Sequence, residues 1–214
     1  MRVFALQPHP FKYSCRSYLV LGDHSTLDDV NTLVDVGIDG RVMAEIETLP
    51  TGVGKRGVER VVLPHNHFDH AGGLAAVVDR YHPEVCAFTA FAGVTRTLRP
   101  GEIIRLGNAD FEVINITAHS HDSICLYAPR EGAIFTGDTP MRILGRDGSY
   151  PEELIVLLKR LIGARITAIY PGHEGPIRER PGEMLENSLA VLTRAEDRIA
   201  TAGGKQARHG INGP

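Results

Sequence analysis

The chain lacks the marks of several large protein classes. Its 214 residues include only three cysteines, scattered as Cys15, Cys86 and Cys125 with no Cys-x-x-Cys pair. An odd, widely spaced set does not build the disulfide framework of a small secreted protein, so each reads as a small buried hydrophobe. No apolar stretch approaches the length of a membrane span, and Pro8 and Pro10 interrupt the N-terminal run that a signal peptide would need. These absences predict a cytoplasmic location and no membrane partner. There is also no long basic run, and the net charge is -3. The electrostatic footprint of a dedicated nucleic-acid binder is therefore missing, and a small-molecule substrate is the expected partner, with a homodimer left open. Tryptophan is absent and Arg outnumbers Lys, a bias common to thermophilic proteins and GC-rich genomes that decides nothing about function.

What is present is enough apolar content, 43%, to bury a substantial core without staples. One domain over residues 1–202 is expected, followed by a flexible tail over 203–214. Short apolar runs bounded by turn residues predict strands at "SYLVL", "TLVDVG", "ERVVL", "EVCAF", "EIIRL", "FEVINIT", "SICLYA", "AIFTG" and "RITAIY". Helical spacing marks "RVMAEIETL", "GLAAVVDRY" after Gly72 and Gly73, and a closing "GEMLENSLAVLTRAEDRIATA". In "SYPEELIVLLKRLI" the separation of Ser149 and Glu152 is that of a capping box, which predicts a helix from Tyr150 to Ile162.

The densest chemistry lies in "LPHNHFDHAGG", Leu63 to Gly73, where three histidines and an aspartate occupy six positions. Imidazole and carboxylate together suit zinc, iron or manganese, whereas calcium and magnesium prefer oxygen alone and sulfur-bound structural zinc needs thiolates. An extended His65-x-His67 lets two rings point the same way, while Asp69 and His70 can address a neighbouring volume. Other polar groups also follow strands directly: His119 after "VINIT", Asp138 after "AIFTG" and His173 after "TAIY". Strands of one sheet end along one edge, so these groups are expected to converge there. Such a cluster can divide between two metals, with Asp138 placed to bridge them.

"HNHFDH", "TAHSHDSI", "FTGDTP" and "YPGHEGP", in that order, resemble the metallo-β-lactamase-fold hydrolase superfamily, and the resemblance covers nearly the whole chain. It implies an α/β (α+β) fold, the αββα sandwich of two mixed β-sheets flanked by helices. It also implies that His65, His67 and His119 hold one metal, that Asp69, His70 and His173 hold a second, and that Asp138 bridges. Two divalent ions are expected, zinc foremost, with iron or manganese as alternatives. The implied reaction is attack of a metal-bridging hydroxide on an ester, thioester, lactone or amide-like bond, with Asp69 also carrying a proton to the leaving group.

The second motif, "TAHSHDSI", is one residue shorter before the histidine than the usual family pattern; alignment on Ser123 makes His119 the ligand and His121 its neighbour. Asp138 stands where some true β-lactamases have cysteine, and His70 where some have arginine. His67 is not the glutamate of the diiron flavoprotein oxidases. The motif set is similar to that of glyoxalase II, but the stretch after His173 has room for one helix and a tail, so the additional helical domain of those enzymes is not expected. Two other readings share the motifs: a mononuclear iron oxygenase of the persulfide dioxygenase kind using His65, His119 and Asp138, and a phosphodiesterase or ribonuclease.

Lesser features are read as structural. "TGVGKRG" has Arg56 after Lys55 in place of the Ser or Thr of a phosphate loop. Asn115-Ile116-Thr117 matches a glycosylation acceptor but falls in a strand. His9, His24, His82 and His209 join no cluster. Asp35 is a candidate to orient a ligand histidine, and Tyr13, Tyr150 and Arg142 are candidates to line the pocket.

Overall fold

The computed structural model describes residues 1–145 and 150–206. The two halves of the chain form one sheet each. The first holds β1 (Arg2–Ala5), β2 (Tyr18–Leu21), β3 (Thr32–Val34), β4 (Arg60–Leu63), β5 (Glu84–Ala87) and β6 (Arg96–Thr97), neighbouring in chain order. The second holds β7 (Ile103–Leu106), β8 (Ala109–Asn115), β9 (Ile124–Ala128), β10 (Ala133–Gly137) and β11 (Ala168–Pro171), again in order. Both are mixed: antiparallel hairpins open each sheet, and β3 to β6 and β10 with β11 run parallel. Parallel neighbours need long crossovers, and three of them are helical. α1 (Val42–Ile46) joins β3 to β4, α2 (Phe68–Ala71) and α3 (Leu74–Tyr81) join β4 to β5, and α4 (Glu152–Gly163) joins β10 to β11. α5 (Pro181–Gln206) follows.

Three apolar clusters define four layers. Tyr18, Val20, Val62, Phe111, Leu126, Phe135 and Tyr170 meet between the sheets. Leu19, Leu21, Val61 and Leu63 face the other way, onto Val42, Ile46, Leu74 and Val77 of the helices. Cys125, Tyr127, Ile134 and Ile169 likewise face Leu154, Leu158, Leu161 and Leu185. Because both faces of these strands are covered, they read as continuous apolar runs rather than alternating ones. This is the αββα sandwich the motifs imply. All three cysteines are free and buried, and burial pushes the Cys125 thiol up to about 12.

Several local expectations are corrected. α1 covers five residues of the nine in "RVMAEIETL". α4 starts at Glu152 after an extended Pro151, with no side-chain cap; Ser149, the expected capping residue, lies outside the described residues. β1, β6 and α2 have no readable period. The expected tail from Gly203 is helical as far as Gln206, and 207–214, with His209, lie outside the described residues. Lys55 is spent on the backbone, donating to the Thr26 and Asp29 carbonyls at 3.0 and 2.5 Å, and Asn115 donates to Ser123 O at 2.9 Å. Among the described residues no helix is long and apolar enough to cross a membrane.

Candidate metal centre

Four strand ends deliver the polar groups to one place. β4 leads into His65, β8 towards His119, β10 into Asp138 and β11 into His173. Backbone bonds lock these loops together: Ile124 N–H donates to Pro64 O at 2.9 Å, Gly172 N–H to Gly137 O at 2.8 Å, and Val36 N–H to His70 O at 3.0 Å. The β10–β11 ladder shifts register between Phe135 and Gly137, and Gly137 has φ +50°. Such an irregularity re-aims the next side chain, which is Asp138. Gly172 has no room for a side chain, because a Cβ would collide with the Asp138 carboxylate and the His70 ring.

The side chains form two triads with a carboxylate between them. His65, His67 and His119 offer one set of nitrogens, and Asp69, His70 and His173 another set of donors. In the first, His119 Nε2 lies 3.0 Å from His67 Nδ1. In the second, Asp69 Oδ2 lies 3.1 Å from His173 Nε2 and 3.5 Å from His70 Nε2. Asp138 Oδ2 is 3.8 Å from His65 Nε2, 3.5 Å from His119 Nε2 and 3.3 Å from His173 Nε2, and its Oδ1 is 3.2 Å from His70 Nε2. Donors about 2.0–2.2 Å from one tetrahedral zinc stand about 3.3–3.6 Å apart, and the observed separations of 3.0–3.8 Å straddle that range. Both nitrogens of His65, His70 Nε2, Asp69 Oδ2 and Asp138 Oδ1 are buried without a hydrogen-bond partner. Buried polar atoms are seldom left so, and four of these residues, each offering one atom to the cluster, fit a pair of cations. His121 is exposed and outside both triads.

Burial, with His70 next, depresses the His65 pKa to about 3, which leaves the neutral imidazole that a metal requires. Burial would lower His70 too, but the charge and hydrogen bond of Asp35 and the contact with Asp138 raise it instead. Burial would raise Asp138, yet the His173 and His70 rings against it hold it well below the carboxylate range. Asp35 accepts from His70 Nδ1 at 2.8 Å, and its backbone takes the left-handed conformation, φ +63°, to do so. That bond fixes the ring and leaves Nε2 for the cluster. Asp35→Asn is expected to weaken metal binding in the second triad about 10–100-fold, read by titration against a chromophoric chelator; unchanged affinity would remove Asp35 from the centre.

Two groups are missed by sequence reasoning or cannot be ranked by it. Asp122 accepts from Asn66 N–H at 3.0 Å and from the Ser120 hydroxyl at 2.7 Å, joining the loop of His65 and His67 to that of His119. Its only trace in the sequence is a short polar side chain three residues after a candidate ligand. Tyr13, indistinguishable there from Tyr150 and Arg142, stacks on His173. Arg142 pairs with Glu174 at 3.5 Å on the wall of a cleft of about 280 Å³ that also includes His119, Asp138, Met141 and His173.

Two facing mixed sheets, helices outside, and a divided His/Asp cluster at one sheet edge define a metalloenzyme-type architecture. The chain belongs to the metallo-beta-lactamase superfamily, whose family model matches residues 12–92 and 82–173. It is 28% identical over 204 residues to an atrochrysone carboxyl ACP thioesterase of Aspergillus fumigatus, an alignment spanning 87% of this chain and 47% of that protein. It is 35% identical over 124 residues to a probable hydroxyacylglutathione hydrolase of Schizosaccharomyces pombe, spanning 55% and 48%. The chain thus spans about half the length of these curated relatives. Among solved structures, TTHA1623 in a di-iron-bound form is similar at a TM-score of 0.61 and 22% identity, covering 88% of this chain and 98% of that one.

Proposed function

We propose that the chain is a metal-dependent hydrolase of small acyl compounds, thioesters foremost, working with two divalent ions, zinc first among them. The observation that carries this reading is the position of Asp138, whose carboxylate faces both triads at 3.2–3.8 Å. When bound, such an ion pair supplies Lewis acidity towards a carbonyl oxygen and a water acidified to near neutrality. His65, His67 and His119 would hold one ion, Asp69, His70 and His173 the other, and Asp138 both. Asp69 has a second carboxylate oxygen with which to take up a proton and pass it to the leaving group. The cleft beside the cluster gives the substrate an apolar wall in Met141 and Ile177 and a cation in Arg142. The names of the thioesterase and hydroxyacylglutathione hydrolase relatives agree with thioester chemistry. The three free, buried cysteines accord with a reducing, cytoplasmic setting.

A second reading rests on His65 and His119 with Asp138, a two-histidine, one-carboxylate set of the kind that holds a single non-haem iron. Elemental analysis by plasma mass spectrometry, run beside a panel of thioesters, lactones, a β-lactam and a phosphodiester, separates the two. Close to two metals per chain with metal-dependent acyl turnover is expected. One iron per chain, oxygen uptake on a persulfide and no hydrolysis would replace the hydrolase with the oxygenase.

A further inference from the structure

The loop between β1 and β2 belongs to neither sheet, yet it is built firmly onto the ligand loops. Cys15 N–H donates to Asp69 O at 3.2 Å and Arg16 N–H to Gly172 O at 2.5 Å. Farther along, Ile38 N–H donates to the Ser14 hydroxyl at 3.1 Å, and the His9 ring accepts from the Phe11 and Lys12 amides at 3.1 and 3.0 Å. Tyr13 stands between these anchors. Its ring stacks on His173, with centroids 4.7 Å apart and planes 21° from parallel. Its hydroxyl lies 3.2 Å from His173 Nε2, the nitrogen that faces Asp69 and Asp138. The ring is nevertheless 67% exposed, an unusual posture for a large side chain held from both flanks. Phe11, at 92%, and Phe68, between candidate ligands His67 and Asp69 at 64%, are also exposed.

A phenol held against His173 and open to solvent is a hydrogen-bond donor within reach of a group that binds at the second triad. We propose that Tyr13 is a catalytic residue that contacts the substrate: its hydroxyl donates a hydrogen bond to the acyl oxygen on which negative charge develops, and its ring carries an apolar acyl group. This rests on the hydrolase reading above. The bond is purely electrostatic assistance, and no proton leaves the phenol. A preorganised donor of this kind acts more strongly on the transition state than on the bound substrate, so its removal lowers kcat more than it changes KM.

The test is Tyr13→Phe, which keeps the ring on His173 and removes only the hydroxyl. Using the metal-loaded full chain and an aromatic acyl thioester, kcat is expected to fall by about 10²-fold, the scale of one oxyanion donor, with KM nearly constant. Equilibrium binding of a phosphonate analogue, measured by calorimetry, should weaken in parallel, while metal content and thermal midpoint stay at wild-type values. Tyr13→Ala should in addition raise KM for apolar acyl groups more than for acetyl. An unchanged kcat and analogue affinity in Tyr13→Phe overturns the assignment. So does a loss that tracks lost metal, which would make Tyr13 a support for His173 only. If loaded wild-type protein hydrolyses no acyl substrate, the hydrolase reading fails and the assignment goes with it; wild-type turnover with an indifferent Tyr13→Phe sinks the Tyr13 role alone.

Discussion

Asp138→Ala is expected to abolish turnover and to leave purified protein with less than one metal per chain. The reason is geometric. One carboxylate faces His65, His119 and His173 with Oδ2 and His70 with Oδ1, so on the proposed metal arrangement both triads lose a ligand together. The charge matters equally, because four imidazoles would then face one another around a half-open space without the anion that offsets them. Loss of a mere supporting partner costs metal affinity about 10–100-fold; loss of the shared ligand should exceed the upper figure at each site. Asp138→Asn keeps the shape and removes the charge, and it should show nearly the same metal loss with the fold intact by circular dichroism. A protein that retains two metals after either change would show that the two triads bind independently, and Asp138 would no longer count as a shared ligand.

Phe135→Ala is expected to destabilise the fold by about 3–5 kcal/mol, the usual cost of truncating a buried phenylalanine. The ring is 1% exposed and central to the inter-sheet layer: it stacks on Tyr170 at 4.8 Å and tilts against Tyr18 at 5.5 Å and Phe111 at 5.6 Å. Set against a total stability of about 5–15 kcal/mol, this is a large fraction. At about 2–4 °C per kcal/mol for a chain of this size, the thermal midpoint should drop by roughly 6–20 °C. Phe135 and Tyr170 each lie three residues before a candidate ligand, Asp138 and His173, and Tyr18 donates its hydroxyl to Pro171 O at 2.7 Å. The cavity is therefore expected to loosen the centre, seen as faster metal loss to a chelator below the melting range. Phe135→Leu should lose less than half as much. A midpoint shift under 3 °C for the alanine variant would mean that the sheets close over the gap.

Much of this organisation is legible in the amino-acid sequence. Most strands of both sheets can be read because each is covered on both faces and so appears as a dense apolar run with turn residues at its ends. The exceptions have physical causes. β6 is two residues of Arg and Thr, too short to show a period, and β1 is only half-buried throughout. α2 is a single turn made of the motif itself, Phe68–Ala71, where ligand chemistry dictates residue type and hides the helix.

The candidate ligands can be named from the chain because metal chemistry is selective for side-chain type, and His65, His67, Asp69, His70, His119, Asp138 and His173 all follow strands. Which of them face one another depends on where strands of different sheets end, and that is a property of packing. The sequence by itself supplied the candidate donors and most of the strands, which follow from residue chemistry and local polarity, and through its ordered motifs the resemblance that implies the sandwich. The resemblance already implied two triads around Asp138 and His119 rather than His121; only the tertiary structure supplied the distances within that cluster, the Asp35 bond to His70 and the seat of Tyr13 on His173. Each joins residues far apart in the chain, brought together only where strands and loops of the two sheets end side by side.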